Sequence, residues 1–202
     1  MRDQLIAAIN ANRAAFGIDL SEVATERLAD YYELVQGHNP LLHLVGRCSA
    51  EEFAIRHILE SLMLLKYLPK NARFADVGAG AGLPSIPCLI VREDLRGVLI
   101  ESKMRKANFL QTAVDAFQMS DRAEVVNRQF EEVETGNFTV VTCRALDKLK
   151  EKLPRILKWT MRRPVFLFAG NNVRDELRNR NVNFTEILLP LSEQRFLIAI
   201  RP

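Results

Sequence analysis

Apolar residues recur at helical spacing through the first third of the chain, and short apolar runs between amphipathic stretches take over afterwards. Leu5, Ile6 and Ile9 share one helical face. Ala24, Leu28, Tyr31, Tyr32 and Val35 repeat the spacing after Ser21, whose hydroxyl can accept from an orphan amide of the first turn. Gly37 and Pro40 are expected to punctuate that helix. Ser49-Ala50-Glu51-Glu52 has the form of a capping box and opens another long helix, which carries Phe53, Ile58, Leu59 and Leu62 and ends before Pro69.

From Arg73 the period changes. Strands are expected at Phe74–Val77, Gly97–Glu101, Glu124–Asn127, Phe138–Thr142 and Pro164–Phe168. Helices are expected at Leu83–Val91, Lys103–Met119, Leu149–Met161 and Val173–Arg180. Strand and helix in alternation imply right-handed βαβ units and a mostly parallel sheet. Phe184–Leu189 and Phe196–Ile200 are joined by a short link, so the last strand must run antiparallel. The expectation is an α/β fold: an N-terminal helical segment at 1–70, packed on a doubly wound, Rossmann-like domain at 71–202. Ligands of such sheets bind at the carboxyl ends of the strands, at the switch point.

Composition adds exclusions. With 202 residues, 48% of them hydrophobic, the chain can bury a core without a disulfide or metal staple. Cys48, Cys88 and Cys143 lie too far apart for a CxxC motif, and free thiols suit a reducing cytoplasm. His38, His43 and His57 fall into no zinc spacing, so no metal is expected. No apolar run nears the ~18 residues that a membrane span needs, and the start of the chain lacks a secretory h-region. A cytoplasmic monomer is the expectation. Charge is uneven. Residues 1–100 hold 10 Lys and Arg against 12 Asp and Glu, whereas residues 101–202 hold 18 against 13. The positive half invites a polyanionic partner.

The chemistry concentrates at Asp76-Val77-Gly78-Ala79-Gly80-Ala81-Gly82-Leu83-Pro84, between an apolar strand and a helix. Alternate glycines let the backbone turn sharply and approach a ligand closely. The spacing is not that of a dinucleotide loop, and an acid at the strand tip would repel a pyrophosphate. Asp76 would instead favour the sulfonium or ammonium of S-adenosylmethionine (SAM). Glu101 ends the second strand, 23 residues after Gly78, where an acid hydrogen-bonds ribose hydroxyls in such folds. Together these features point to adenosine without phosphates, and so to SAM.

Four runs carry a resemblance. Asp76–Pro87 is similar to Asp-Val-Gly-x-Gly-x-Gly-Leu-Pro-Gly-Ile-Pro, with Ser85 in place of the last glycine. Arg56-His57-Ile58-Leu59-Glu60-Ser61 is similar to Arg-His-Ile-Leu-Asp-Ser. The run from Glu101 to Leu110 resembles Asp-Ser-x-x-Lys-Arg-x-x-Phe-Leu, and Cys143-Arg144-Ala145 resembles Ser-Arg-Ala. In this order and spacing they resemble the glucose-inhibited division protein B family, bacterial small-subunit ribosomal RNA methyltransferases acting on nitrogen 7 of guanine. The resemblance covers nearly the whole chain. It implies a SAM-dependent methyltransferase fold whose substrate is small-subunit ribosomal RNA or the small ribosomal subunit.

The cofactor site would then take in Asp76, Gly78, Gly80, Gly82, Leu83, Glu101, Ser102, Phe130, Glu131 and Arg144. Phe130 and Glu131 would lie at the adenine, and Arg144 beside both cofactor and target base as the catalytic candidate. Asn39, His43, Lys103, Arg105, Lys106 and Lys148 are the substrate candidates. Departures gather on the substrate side. Asn-Leu-Thr becomes His43-Leu44-Val45, and of a preceding Trp-Asn only Asn39 survives beside His38. An arginine falls at Gln129, next to Arg128, and a lysine falls at Ala169.

Nitrogen 7 of guanine carries an in-plane lone pair and no proton, so the reaction needs orientation and no general base. Arg144 is therefore read as a phosphate or carboxylate clamp. His57 is read as a packing and hydrogen-bonding residue, Cys143 as buried, and Trp159 as core. Residues 144–163 carry a net charge of +6, which fits an RNA-facing helix whose binding weakens with salt. Two alternatives stay open: methylation of another RNA or a small molecule, and a non-catalytic SAM- or RNA-binding relic assisting ribosome assembly.

Overall fold

The computed structural model describes residues 1–136 and 138–201. Helix α1 (Arg2–Asn12) and helix α2 (Glu22–Leu42) lead into a continuous helical run that we call α3. It is α-helical at Ala50–Phe53, π-helical at Ala54–Leu59, α-helical at Glu60–Leu62 and 3-10 at Met63–Tyr67. Ser21 Oγ accepts from Ala24 N, and Ser49 with Glu52 closes the reciprocal capping box. α2 does not stop at Gly37 or Pro40. It runs to Leu42, because Val35 is buried and His38 packs edge-on against Phe109, with ring centroids 5.3 Å apart. Tertiary packing outweighs the amide that proline lacks.

The remainder alternates as expected: β1 (Arg73–Val77), α4 (Ser85–Val91), β2 (Arg96–Ile100), α5 (Met104–Ala116), β3 (Ala123–Val126), β4 (Val140–Arg144), α6 (Leu149–Trp159), β5 (Val165–Gly170), α7 (Asn171–Asn179), β6 (Thr185–Leu188) and β7 (Arg195–Ile200). β4 lies two residues later than the pattern suggested. Phe138 leaves the strand to pack on the Trp159 ring, with centroids 5.2 Å apart. The sheet order is β3-β2-β1-β4-β5-β7-β6. The first five strands in that order are parallel, and β7 pairs antiparallel with both β5 and β6. This is a Rossmann-like architecture with the switch point between β1 and β4.

Two apolar clusters sandwich the sheet. One joins α1–α3 to α4, α5 and the sheet face that bears Phe74, Leu99 and Phe166. The other packs α6 and α7 on the face that bears Ala75, Val77 and Leu167. Side chains alternate along a strand, so Asp76 falls on the Phe74 face, beneath the N-terminal helices. No helix among the described residues is long and apolar enough to cross a membrane.

Candidate active site

The strand tips of β1, β2 and β4 end around a cavity of about 310 Å3. The turn after β1 forms its floor. Gly78, Gly80 and Gly82 all take positive φ. At Gly82 (φ +86) an added Cβ would stand 2.4 Å from Ile86 Cγ1, and at Gly78 (φ +73) it would stand 2.4 Å from Leu146 Cδ1. Both positions favour glycine for conformation, and Gly82 for space as well, whereas at Gly78 the tip of the Leu146 side chain could swing aside. The turn is anchored on both sides. Gly78 N donates to Ile100 O at 2.8 Å, and Tyr31 Oη, fully buried on α2, donates to Ala81 O at 2.8 Å.

Glu101 follows β2 and lines the cavity. Its Oε2 accepts from Gly80 N at 3.1 Å and its Oε1 from Lys103 N at 2.8 Å. A carboxylate offers about four lone-pair positions. Two backbone amides orient the group and leave capacity for a vicinal diol. Ser102, Lys103, Lys106, Arg128, Gln129 and Phe130 continue this wall.

Asp76 stands elsewhere. It is fully buried, does not line the cavity, and accepts from Ser85 Oγ. Its Oδ1 is buried without a partner. Burial pushes its carboxyl up to about 7, against the opposing pull of the Ser85 hydroxyl. Strand alternation explains the placement, and Ser85 supplies a partner that glycine could not.

The other wall comes from the N-terminal layer and from β4. Leu44, Val45, Gly46 and His57 line the cavity with Arg144, Ala145, Leu146, Asp147 and Lys152. Arg144 ends β4, and its guanidinium turns inward. Nη2 donates to Arg56 O and to Glu60 Oε2 (3.0 Å), Nη1 donates to Ser61 Oγ (3.3 Å), and the group stacks 5.2 Å from the Phe168 ring centroid. Arg144 clamps a carboxylate of the chain itself. Glu60 is 1% exposed, and its Oε1 takes Arg195 from β7 at 2.8 Å. One buried acid thus ties α3, β4 and β7 together.

His57 is the residue that sequence reasoning undervalued. It lines the cavity, and its ring packs 4.9 Å from the Phe53 ring centroid. Nδ1 is buried with no partner. Burial, and then the guanidiniums of Arg144, Arg56 and Arg195, push its pKa down to about 3, so the imidazole is neutral. The available signal was its place inside the run Arg56–Ser61.

Several residues that the sequence singled out do not line the cavity or, like Lys106, line it while making a bond elsewhere. Gly82 is packed below the turn. Glu131 faces solvent and pairs with Arg155 at 2.9 Å. Asn39 accepts from Val45 N at 3.0 Å, and Lys106 Nζ, on the rim, donates to His43 O at 3.3 Å, so both hold the 43–46 loop. His43, Arg105 and Lys148 are exposed around it. Trp159 donates Nε1–H to Val133 O at 2.8 Å and belongs to the core, and Cys143 is buried.

Three features fit SAM: the cavity size, within the usual range for small-ligand sites; a diol-ready carboxylate; and a turn whose backbone a ligand can approach. Comparison with known proteins agrees. A family model described as rRNA small subunit methyltransferase G matches residues 24–190. The ribosomal RNA small subunit methyltransferase G of Neisseria meningitidis is 34% identical over 152 residues, covering 75% of this chain and 71% of that protein. Its counterpart in Shewanella piezotolerans is 28% identical over 207 residues, covering 97% and 98%. Among solved structures, a protein of the NADB-Rossmann superfamily from Streptococcus agalactiae superposes with a TM-score of 0.57 at 15% identity. That match covers 70% of this chain and 67% of the other, and it supports the fold alone.

Proposed function

This chain belongs to the rRNA small subunit methyltransferase G family, and from that premise we propose that it methylates nitrogen 7 of a guanine in 16S ribosomal RNA, with SAM as methyl donor. When bound, SAM supplies an electrophilic methyl group on a sulfonium. Glu101 would hold the ribose, with its carboxylate already oriented by Gly80 N and Lys103 N. The glycine turn and Leu83 would take the methionine portion, and Ser102 and Phe130 the adenosine portion. Asp76 would act from beneath the turn, as a buried acid behind Gly78 and Gly80.

The nucleophile brings its own lone pair, so no residue need remove a proton. Positive charge passes to the base as the methyl moves, and a free cation at that point would oppose the reaction. Arg144 is engaged with Arg56 O and with Glu60, a carboxylate it shares with Arg195, which suits a positioning part. Lys103, Lys106, Arg128 and Lys152 on the rim, with Arg105 and Lys148 nearby, would meet RNA phosphates. Asn39 and His43 would shape the entrance loop. We read the protein as a cytoplasmic monomer acting on the small subunit.

The observation that carries this reading is the braced Glu101 carboxylate beside the triple-glycine turn, in a cavity with a basic rim. The test is transfer of labelled methyl from SAM to small subunits that lack the modification, followed by nucleoside analysis. Label in 7-methylguanosine is the expected result. SAM binding without label would sink it.

A further inference from the structure

We propose that His57 reads the target base, donating its Nε2–H to O6 of guanine and so turning N7 towards the methyl donor. The inference rests on the functional reading above and adds the base-recognition contact to it.

The placement comes from the π-turn in α3. Glu60 N bonds Ile55 O, five residues back instead of four. That slip re-aims the side chains of the turn, and such turns are often found at functional sites. Two of its carbonyls are then held by side chains: Arg56 O accepts from Arg144 of β4, and His57 O accepts from Ser61 Oγ, one turn further along α3, at 2.5 Å. His57 is thereby held on the β4 side of the switch point. Glu101 and Phe130 follow β2 and β3, on the far side of β1. With adenosine over β2 and β3, the reacting end of the donor and the incoming base belong over β1 and β4, where His57 lines the cavity.

The ring's polarity follows from its surroundings. Nδ1 is buried, and among the described residues no group reaches it. A stranded N–H is rarer in proteins than an under-used acceptor, so the proton belongs on Nε2, the ring nitrogen that is not buried. The residue then presents one donor without a charge. Guanine shows two acceptors on its N7 edge, N7 and O6, whereas adenine shows a donor at C6. A donor next to the nucleophile therefore accepts guanine and rejects adenine. Its neutrality matters because the methylated base is a cation, which an imidazolium would repel.

The test is a cycle of paired changes. Wild type and His57→Ala are assayed on small subunits reconstituted with guanosine, or with 2-aminopurine riboside (which lacks O6), at the methylated position. Each single change should lower kcat/KM roughly tenfold or more, the usual worth of a base-reading contact. Combining them should add less than about threefold, because both remove the same bond. SAM affinity, read by calorimetry on the protein alone, should stay within about twofold. His57→Gln keeps an N–H at comparable reach and should recover part of the rate on guanosine only. It also serves if the alanine variant folds poorly. Losses that multiply, or SAM affinity falling in step with the rate, would overturn the assignment. Wild-type protein giving no 7-methylguanosine would overturn the functional reading beneath it.

Discussion

The two walls of the cavity are built by different means. The β1–β2 wall is made of backbone. Glycines at positive φ, amides on Glu101 and a carbonyl held by Tyr31 place it, and most of its bonds fall within one βαβ unit, such as Glu101 with Gly80 and Lys103, with Tyr31 a brace from further away. The N-terminal wall is made of ionised side chains. Glu60 meets Arg144 from 84 positions away and Arg195 from 135. Backbone geometry tolerates most substitutions that keep the glycines. A buried ion pair fails when one partner is lost, because the other is left charged in a poor solvent. The first wall is robust and generic. The second is fragile, and under the proposed function it is the wall that would meet the substrate base.

Glu60→Ala should break the contrast most sharply. It strands two guanidiniums, and the expected loss is about 3–5 kcal/mol in chemical denaturation. A loss under about 1 kcal/mol would show that this wall does not depend on the pair. On the other wall, Gly82→Ala should cost about 2–4 kcal/mol, from an αL residue with a side chain and from overpacking against Ile86. SAM affinity should fall with it, while Glu60→Ala should affect RNA methylation more than SAM binding. Tyr31→Phe removes one buried hydrogen bond to the turn and should cost about 1 kcal/mol. An unchanged melt would mean that the turn supports itself.

pH separates the walls as well. Asp76 is held up near pH 7 from its ordinary 3.8, so the folded protein keeps a proton that the unfolded chain releases. Its contribution to stability therefore falls as pH rises from about 4 to 7. His57 is held down near 3 from 6.5, so unfolding takes up a proton, and its contribution rises between about pH 3 and 6.5. Subtracting the stability–pH curve of Asp76→Asn from that of wild type should leave a falling slope, and the His57→Gln difference should leave a rising one. Equal curves would remove the distinction. The smallest effect is expected at the rim. Lys106→Ala should weaken RNA binding modestly and reduce the log–log salt slope by about 1, while loss of its one exposed bond to His43 O should cost no more than about 0.5 kcal/mol of stability.

Most of the fold was legible because its signals are local. The Ser21 and Ser49 caps, the apolar runs that became β1, β2 and β5, and the glycine turn each follow from a few adjacent residues. The continuation of α2 past Pro40 was not legible, because Phe109 stabilises it from another helix. Nor was the inward turn of Asp76, which Ser85 and strand alternation decide together. The part of the N-terminal wall that was undervalued is His57, on a helix before the first strand. Attention to strand ends passes over His57, although the run Arg56–Ser61 was visible.

By itself, the sequence determined the alternation of strand and helix, the place of the turn, the acid after β2 and the family, since propensity, caps and glycine conformation act over a few bonds. Only the tertiary structure decided that Arg144 would spend its charge on Glu60, that Asn39 and Lys106 would hold a loop, and that a π-turn would carry a neutral histidine into the cavity. The Arg144–Glu60 and Lys106–His43 contacts join residues 84 and 63 positions apart, Asn39 reaches Val45 only across a loop whose course the rest of the fold sets, and the register of the π-turn is settled by what packs around it.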